Sequence, residues 1–299
     1  MPPPPDYKLS EGGPFFALHL LPLLAIFTGT TWVDWAVCFG LFFLRMFAIT
    51  GFYHRYFSHR TFKTSRWFQL VMAVWAMSSS QKGVMWWAST HRQHHKYSDL
   101  PWDPHSPAQR GLFYAHVGWI FDRNHDETDM ERVKDLARYP ELVWLGKHWM
   151  VPPIALGVLV WWFLGWSGLL IGFMLSTALL WHGTYTINSL SHVFGTQRFE
   201  SGDTSRNNWA LALLTLGEGW HNNHHTYQGS TRQGFYWWEV DITYYGLKLL
   251  SWVGLIWELR EPPAKLLEEG RRRDAAKRRG EPRLPEVGAT DTVTARTSA

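Results

Sequence analysis

The chain has 299 residues, of which 18% are charged and 16% aromatic, with 20 Trp, 15 His and a formal net charge of +4. Ordinary globular domains are about 25% charged, so this composition argues against a soluble protein. Much of the small positive balance lies in the C-terminal tail, and with no aromatic-interleaved basic patch elsewhere it excludes a nucleic-acid binder. The single cysteine, Cys38, excludes an intramolecular disulfide and any cysteine-built zinc or iron–sulfur site.

Residues 1–13, MPPPPDYKLSEGG, read as a flexible polar lead-in without the basic region that opens a secretory signal. Apolar blocks follow at 14–29 and 34–50, joined closely enough to require a tight helical hairpin. Arg45 interrupts the second block; in mid-span it costs a few kcal/mol and must snorkel, pair or face a protein-lined site. From 51 to 149 the chain is polar. Within it Trp67–Ser79 is too short to span a bilayer and reads as a buried or interfacial helix, while 126–141 reads as a solvent-facing helix stopped near Pro140. A second hairpin is expected over 150–165 and 168–185, with its turn at Gly165-Trp166-Ser167-Gly168. Residues 186–258 are polar again and end in a second interfacial candidate, YYGLKLLSWVGLIW; 259–299 reads as a basic, disordered tail. The expected fold class is therefore an all-α integral membrane protein, with four transmembrane helices and a helical cap. Lys and Arg are plentiful in the cap and missing from both hairpin tips, which places the cap and the termini in the cytoplasm.

The cap holds the histidines. His91, His94 and His95 in HRQHH, and His221, His224 and His225 in HNNHH, stand at i, i+3 and i+4, so on a helix each trio shares one face. His54 and His59 in HRYFSH form a looser pair, and NSLSH adds Asn188 and His192 one turn apart. A single histidine in an apolar setting is more often a hydrogen-bonded core residue, the reading given to His19, His116, His125, His148 and His182. Crowded imidazoles are different, because burial desolvates them with no mutual attraction in return, and a metal removes that difficulty. Nine candidate ligands exceed what one tetrahedral zinc takes, so two metals are implied. Soluble di-iron bundles use Glu and Glu-x-x-His pairs, of which only Glu218 with His221 is present. The HExxH pattern of hydrolytic zinc is missing, which favours redox iron over a zinc pair. Asp99, Asp103 and Glu218 are candidates to orient the ligand rings from behind, and His105 in DPHS is a candidate to support them. Cys38, Leu41, Phe42 and Gly51 either line the closed end of a substrate tunnel or simply pack helix on helix.

Over residues 14–258 the chain resembles the membrane-bound fatty acid desaturases that place a first double bond at carbon 9 of saturated acyl chains. The resemblance rests on HRYFSH, HRQHH and HNNHH in order, and on the flanking WASTHRQHHKYSDLPWDPHS, HVGW, NSLSHVFG and GEGWHNNHH. It implies a four-helix stem under a cytosolic cap, in which the nine histidines bind two iron ions (Fe2+) and Asn188 holds a water on one of them. It also implies O2-dependent insertion of a cis double bond into C16 or C18 chains carried on CoA or on a membrane lipid. Ser89 and Thr90 stand where animal acyl-CoA members carry an Arg-Asp pair, and WWEVDITYY resembles bacterial and cyanobacterial members that act on lipids. This points to a multi-pass protein of a bacterial inner membrane. No HPGG haem signature is present, so electrons are expected from a separate ferredoxin, rubredoxin or cytochrome b5-type donor with its reductase. The rival readings are a histidine-rich di-iron acyl or alkane hydroxylase, separated by product analysis, and a non-enzymatic membrane metal-binding or electron-carrier protein.

Overall fold

The computed structural model describes residues 3–7 and 12–281. The first helix, α1 (Gly13–Thr28), is apolar and tightens to a 3-10 turn at Leu21–Leu24, where Pro22 offers no backbone donor. The second, α2 (Trp32–Ser58), starts at a capping box: the Thr31 hydroxyl accepts from the Asp34 amide, and the Asp34 carboxylate accepts from the Thr31 amide at 2.7 Å. It does not stop at Thr50. Its last part, Ala48–Ser58, is wound as a π-helix with every residue buried. Arg45 faces protein: its guanidinium donates to the hydroxyls of Thr177 at 2.8 Å and Ser176, and to the Leu41 carbonyl at 3.1 Å.

Next come α3 (Arg66–Met77), α4 (Val84–Tyr97) and α5 (Pro140–Lys147). Phe52, Tyr53 and Phe57 of α2 share one core with Met72 and Ala76 of α3, Met85 and Ala88 of α4, and Leu142 and Leu145 of α5. The continuous helix expected over 126–141 is instead a 3-10 turn, Met130–Val133, and one α-turn, Lys134–Ala137. Val133 and Leu136 are pulled into the core, and that breaks a solvent-facing helix.

Helix α6 (Val151–His192) runs for 42 residues with one interruption, Gly165, at φ 66° and ψ −157°. That left-handed conformation suits glycine, and it falls inside the turn expected from the sequence. Among the described residues, helices α2 and α6 are the two long and apolar enough to cross a membrane; α1 is shorter. Phe27 on α1 and Trp162 and Phe163 on α6 point outward and are exposed, an apolar exterior suited to lipid.

Three short or amphipathic helices close the cap: α7 (Trp209–Leu214), α8 (His221–Thr226) and α9 (Ile242–Trp252). Helix α9 buries Thr243, Tyr244 and Leu247 and exposes Ile242, Tyr245, Leu249 and Trp252. Strands β1 (Lys63–Thr64) and β2 (Ile256–Trp257) pair antiparallel and tie its end back to the start of the cap.

Two terminal expectations need correcting. The tail is not disordered from 259: Ala264–Arg278 form helix α10, which packs on Phe199 and Tyr236 through Leu266 and Leu267. A Cβ at Gly270 would lie 2.3 Å from the Tyr236 hydroxyl, so the close approach requires glycine. High charge hides this helix in the sequence, because its packed face is small. The remaining tail residues, 282–299, lie outside the described ones. At the other end part of the lead-in is held in place: the carbonyls of Pro3 and Pro4 accept from Arg110 at 2.9 Å and Asn124 at 3.0 Å. Residues 1–2 and 8–11 also lie outside the described ones.

Candidate metal centre

Four stretches far apart in the chain bring all nine candidate histidines together. On α4 and α8 the trios at i, i+3 and i+4 share a face, as expected. His54 and His59 meet for a different reason. In a π-helix the backbone bond runs from i+5 to i, and here the His59 amide donates to the His54 carbonyl at 3.3 Å. The two rings therefore meet edge to face on one side, with centroids 5.0 Å apart. An α-helix would have turned them apart.

The rings divide into two groups, each with ligand nitrogens within 4.8 Å of one another: His54, His59, His91, His95 and His224 in one, His94, His192, His221 and His225 in the other. In the first, Nε2 atoms face one another from His59 to His91 at 2.8 Å, from His91 to His95 at 2.9 Å, from His95 to His224 at 2.9 Å and from His54 to His224 at 2.9 Å. In the second, the pairs are His192 with His221 at 3.1 Å and His94 with His225 at 3.4 Å.

Carboxylates behind the rings fix which nitrogen carries the proton. Nδ1 of His94 donates to Asp103 at 2.9 Å, Nδ1 of His192 to Asp99 at 3.2 Å and Nδ1 of His225 to Asp203 at 2.6 Å. Nδ1 of His54 pairs with Glu218. A neutral ring that donates through Nδ1 has a bare lone pair at Nε2. The facing Nε2 atoms of His94 and His225 are then two lone pairs pointed at each other, an arrangement that a cation between them relieves. The donor set fits a metal.

Electrostatics agree for five of the rings, whereas His94, against the lowering effect of its burial, is raised by Asp103. Burial depresses the imidazoles of His59, His91, His95, His221 and His224 well below their ordinary range, and neighbouring rings add to this. They are neutral near pH 7, the form that ligates. Burial alone would raise the carboxyl of Asp103, but facing His94 holds it at about 2. Asp99 and Asp203 are likewise held below the usual carboxylate range, against the effect of burial, by His192 and His225.

The expected supporting residues divide. Asp99, Asp103 and Glu218 each hold a ligand ring. His105 packs its ring on that of His94 at 4.4 Å, and its amide donates to Asp103 at 3.1 Å, a supporting position. Sequence reasoning missed Asp203, which lies 22 residues from His225 with no spacing to mark it. Asn188 sits with His94 and His221 on the wall of a cleft lined also by Met46, Ile49, Thr50 and Thr184. None of Cys38, Leu41, Phe42 or Gly51 lines that cleft. Cys38 packs on Ala25, Leu170 and Ile171; Phe42 packs on Met46, Ile49 and Leu180; Gly51 faces Leu247 and Thr243. The lining residues of α2 lie one to two turns nearer the histidines than Cys38 and Phe42, whereas Gly51 is nearer still and faces away from the cleft.

A family model described as fatty acid desaturase matches residues 30–249. The chain is 36% identical over 250 residues to an sn-2 palmitoyl-lipid 9-desaturase of Nostoc sp., covering 81% of this chain and 86% of the relative. It is 36% identical over 256 residues to an sn-1 stearoyl-lipid 9-desaturase of Synechocystis sp., with 83% and 79% covered. A chloroplastic palmitoyl-monogalactosyldiacylglycerol delta-7 desaturase of Arabidopsis thaliana is 36% identical over 250 residues, with 82% and 67% covered.

Proposed function

The chain belongs to the fatty acid desaturase family, and from that premise we propose that it is an acyl-lipid 9-desaturase with two iron ions at the histidine groups. The observation that carries the iron pair is the division of nine facing imidazoles into groups of five and four, with carboxylates behind them. His54, His59, His91, His95 and His224 hold one ion; His94, His192, His221 and His225 hold the other, with Asn188 reaching it through a water. Asp99, Asp103, Asp203 and Glu218 set carboxylates behind the rings, and Glu218 also pairs with Arg55 at 3.0 Å, so part of the negative charge offered to two divalent ions is already met by protein in a place where unbalanced charge is costly.

The reaction converts a saturated CH2–CH2 unit, O2, two electrons and two protons into a cis CH=CH unit and two waters. Bound iron supplies the redox chemistry for C–H bonds that acids and bases cannot break. The chain's own residues do the rest. Met46, Ile49 and Ile187 give the cleft apolar walls, and His54, His91 and His94 lie along the same cleft. A palmitoyl or stearoyl chain lying there has its methylenes beside the ligand rings, and holding the reacting pair in place governs both rate and position. The oriented Nδ1–H bonds keep the ligand nitrogens aimed inward throughout.

The stem is read as four spans: α1, the apolar part of α2, and the two parts of α6 on either side of Gly165. The cap then lies on the cytoplasmic face of a bacterial inner membrane, in reach of a soluble electron donor. The substrate is the acyl group of a membrane lipid, as in the named activities of the Nostoc and Synechocystis relatives.

The deciding experiment is expression with a ferredoxin and its reductase in a host poor in unsaturated acids, with iron analysis of the purified chain and mass spectrometry of the lipids. The expected result is about two irons per chain and a new cis bond at carbon 9 of C16 or C18 chains in intact lipid. A hydroxylated chain moves the assignment to the hydroxylase branch. A bond at another carbon overturns the position, and no product from an iron-loaded chain overturns the activity.

A further inference from the structure

Helix α8 has two faces. His221, His224 and His225 point at the metal groups, and Asn222 and Asn223 point the other way, where they meet Arg198 and the segment after it. The Asn223 carbonyl oxygen accepts from Arg198 at 3.0 Å. The Arg198 guanidinium lies 4.8 Å over the ring of Tyr236, and Tyr236 stacks on Trp238 at 4.8 Å with the planes 9° apart. Trp238 is half-exposed and lines a surface pocket with Arg198, Asp274, Lys277 and Arg278.

Helix α10 frames this pocket. Arg198 is neutralised by Glu239 at 2.6 Å and by Asp274 of α10 at 3.0 Å. Outward from that pair, α10 presents Arg271, Arg272, Lys277 and Arg278, and no ion pair within the described residues joins Arg272, Lys277 or Arg278. A helix that seats in a bilayer turns an apolar face to it. The exposed large side chains of α9 make such a face; α10 has none. The basic helix also lies behind α8, on the side away from the histidines and the cleft.

We propose that the basic face of α10, with Trp238, is the docking site of a small acidic one-electron carrier protein, and that Trp238, Tyr236, Arg198 and Asn223 connect that surface to the helix bearing His224. This rests on the desaturase reading. Each turnover reduces O2 to two waters with four electrons: two leave the carbon pair with its hydrogens, and two must arrive from outside with two protons. A one-electron carrier therefore docks twice per product. Opposite charge accelerates such encounters by factors of about 10 to 1,000 and loses its effect in salt. The stack gives the electron ordered, closely packed groups on the way in.

The test uses the full chain in lipid nanodiscs with an acidic [2Fe–2S] ferredoxin or an acidic rubredoxin and the matching reductase. Product is measured against carrier concentration at low and high salt. For the unaltered chain, kcat/KM for the carrier is expected to fall steeply with salt. In Lys277→Glu/Arg278→Glu it is expected to drop about tenfold or more at low salt, with iron content per chain unchanged and the salt dependence flattened. Trp238→Leu is expected to lower kcat with KM for the carrier little changed. Docking elsewhere is shown if the charge-reversed chain keeps the unaltered kcat/KM. A defect present in nanodiscs containing phosphatidylglycerol and missing in those of phosphatidylcholine alone assigns the basic face to lipid headgroups and overturns the proposal. If the unaltered chain makes no product with either carrier, the desaturase reading itself fails, which is a separate outcome.

Discussion

Two groups of histidines in this molecule use the same side chain in opposite ways. In the metal centre four of the rings, His54, His94, His192 and His225, place one nitrogen against a carboxylate and leave the other aimed at other imidazoles. Near the stem, His19, His182 and His116 form a line. His19 bonds the Phe15 carbonyl at 2.7 Å and His182 at 3.0 Å; His182 continues to His116 at 3.0 Å, and His116 ends on the Ser189 hydroxyl at 2.9 Å. There every ring spends both nitrogens on neighbours, and no carboxylate backs it. Convergence with a charged partner behind marks a metal nest; histidine number and burial alone do not.

That contrast can be broken most severely by removing a ring. His94→Ala or His224→Ala is expected to abolish product, a loss beyond the roughly 10- to 100-fold typical of groups behind a ligand, with iron lost from the purified chain. Retained turnover in both variants would remove these histidines from the metal centre. Asp203→Asn sharpens the comparison by keeping the ring and weakening its orientation. Iron affinity or activity is expected to fall about 10- to 100-fold, read by metal competition, and an unchanged affinity would make the carboxylate incidental. The smallest effect is expected in the line. His182→Phe leaves two neighbours short of a partner and should cost about 1–3 kcal/mol of stability, seen as a lower Tm in detergent. Its iron content should match the unaltered chain, and a loss of iron would erase the distinction between the two groups.

Local spacing carried most of the candidate metal centre. The trios in HRQHH and HNNHH needed only a helix, and Asp103 stands nine residues from His94, the ring it holds, whereas Asp99 and Glu218 are marked only by lying beside the histidine boxes and are brought to His192 and His54 by the fold. His54 and His59 showed as a pair, but their shared face depends on the π-winding of Ala48–Ser58, which no periodicity announces. Asp203 was invisible because only the tertiary fold brings it to His225. The tunnel candidates Cys38, Leu41 and Phe42 lie on α2 farther from the histidines than Met46 and Ile49, which line the cleft. The apolar blocks legible in the sequence fall on α1, α2 and α6, of which α2 and α6 are, among the described residues, long enough to cross a membrane, and Gly165 interrupts α6 inside the turn that its sequence context marks. The basic tail misled because composition reports the outward face of α10, whereas Gly270 and Ala276, which seat it, are small and silent.

The four segments that build the centre enter the chain in order, with α8 last. Until α8 leaves the ribosome neither group is complete: the first lacks His224, and the second lacks His221 and His225. Domains fold as their chain emerges, so the stem can be seated in the membrane before any site of full affinity exists. On the iron reading proposed above, the metal would then be taken up by a finished scaffold and would add stability to it. Starving the cell of iron should therefore leave an inserted but empty protein, ready to be filled later, in place of an unfolded one.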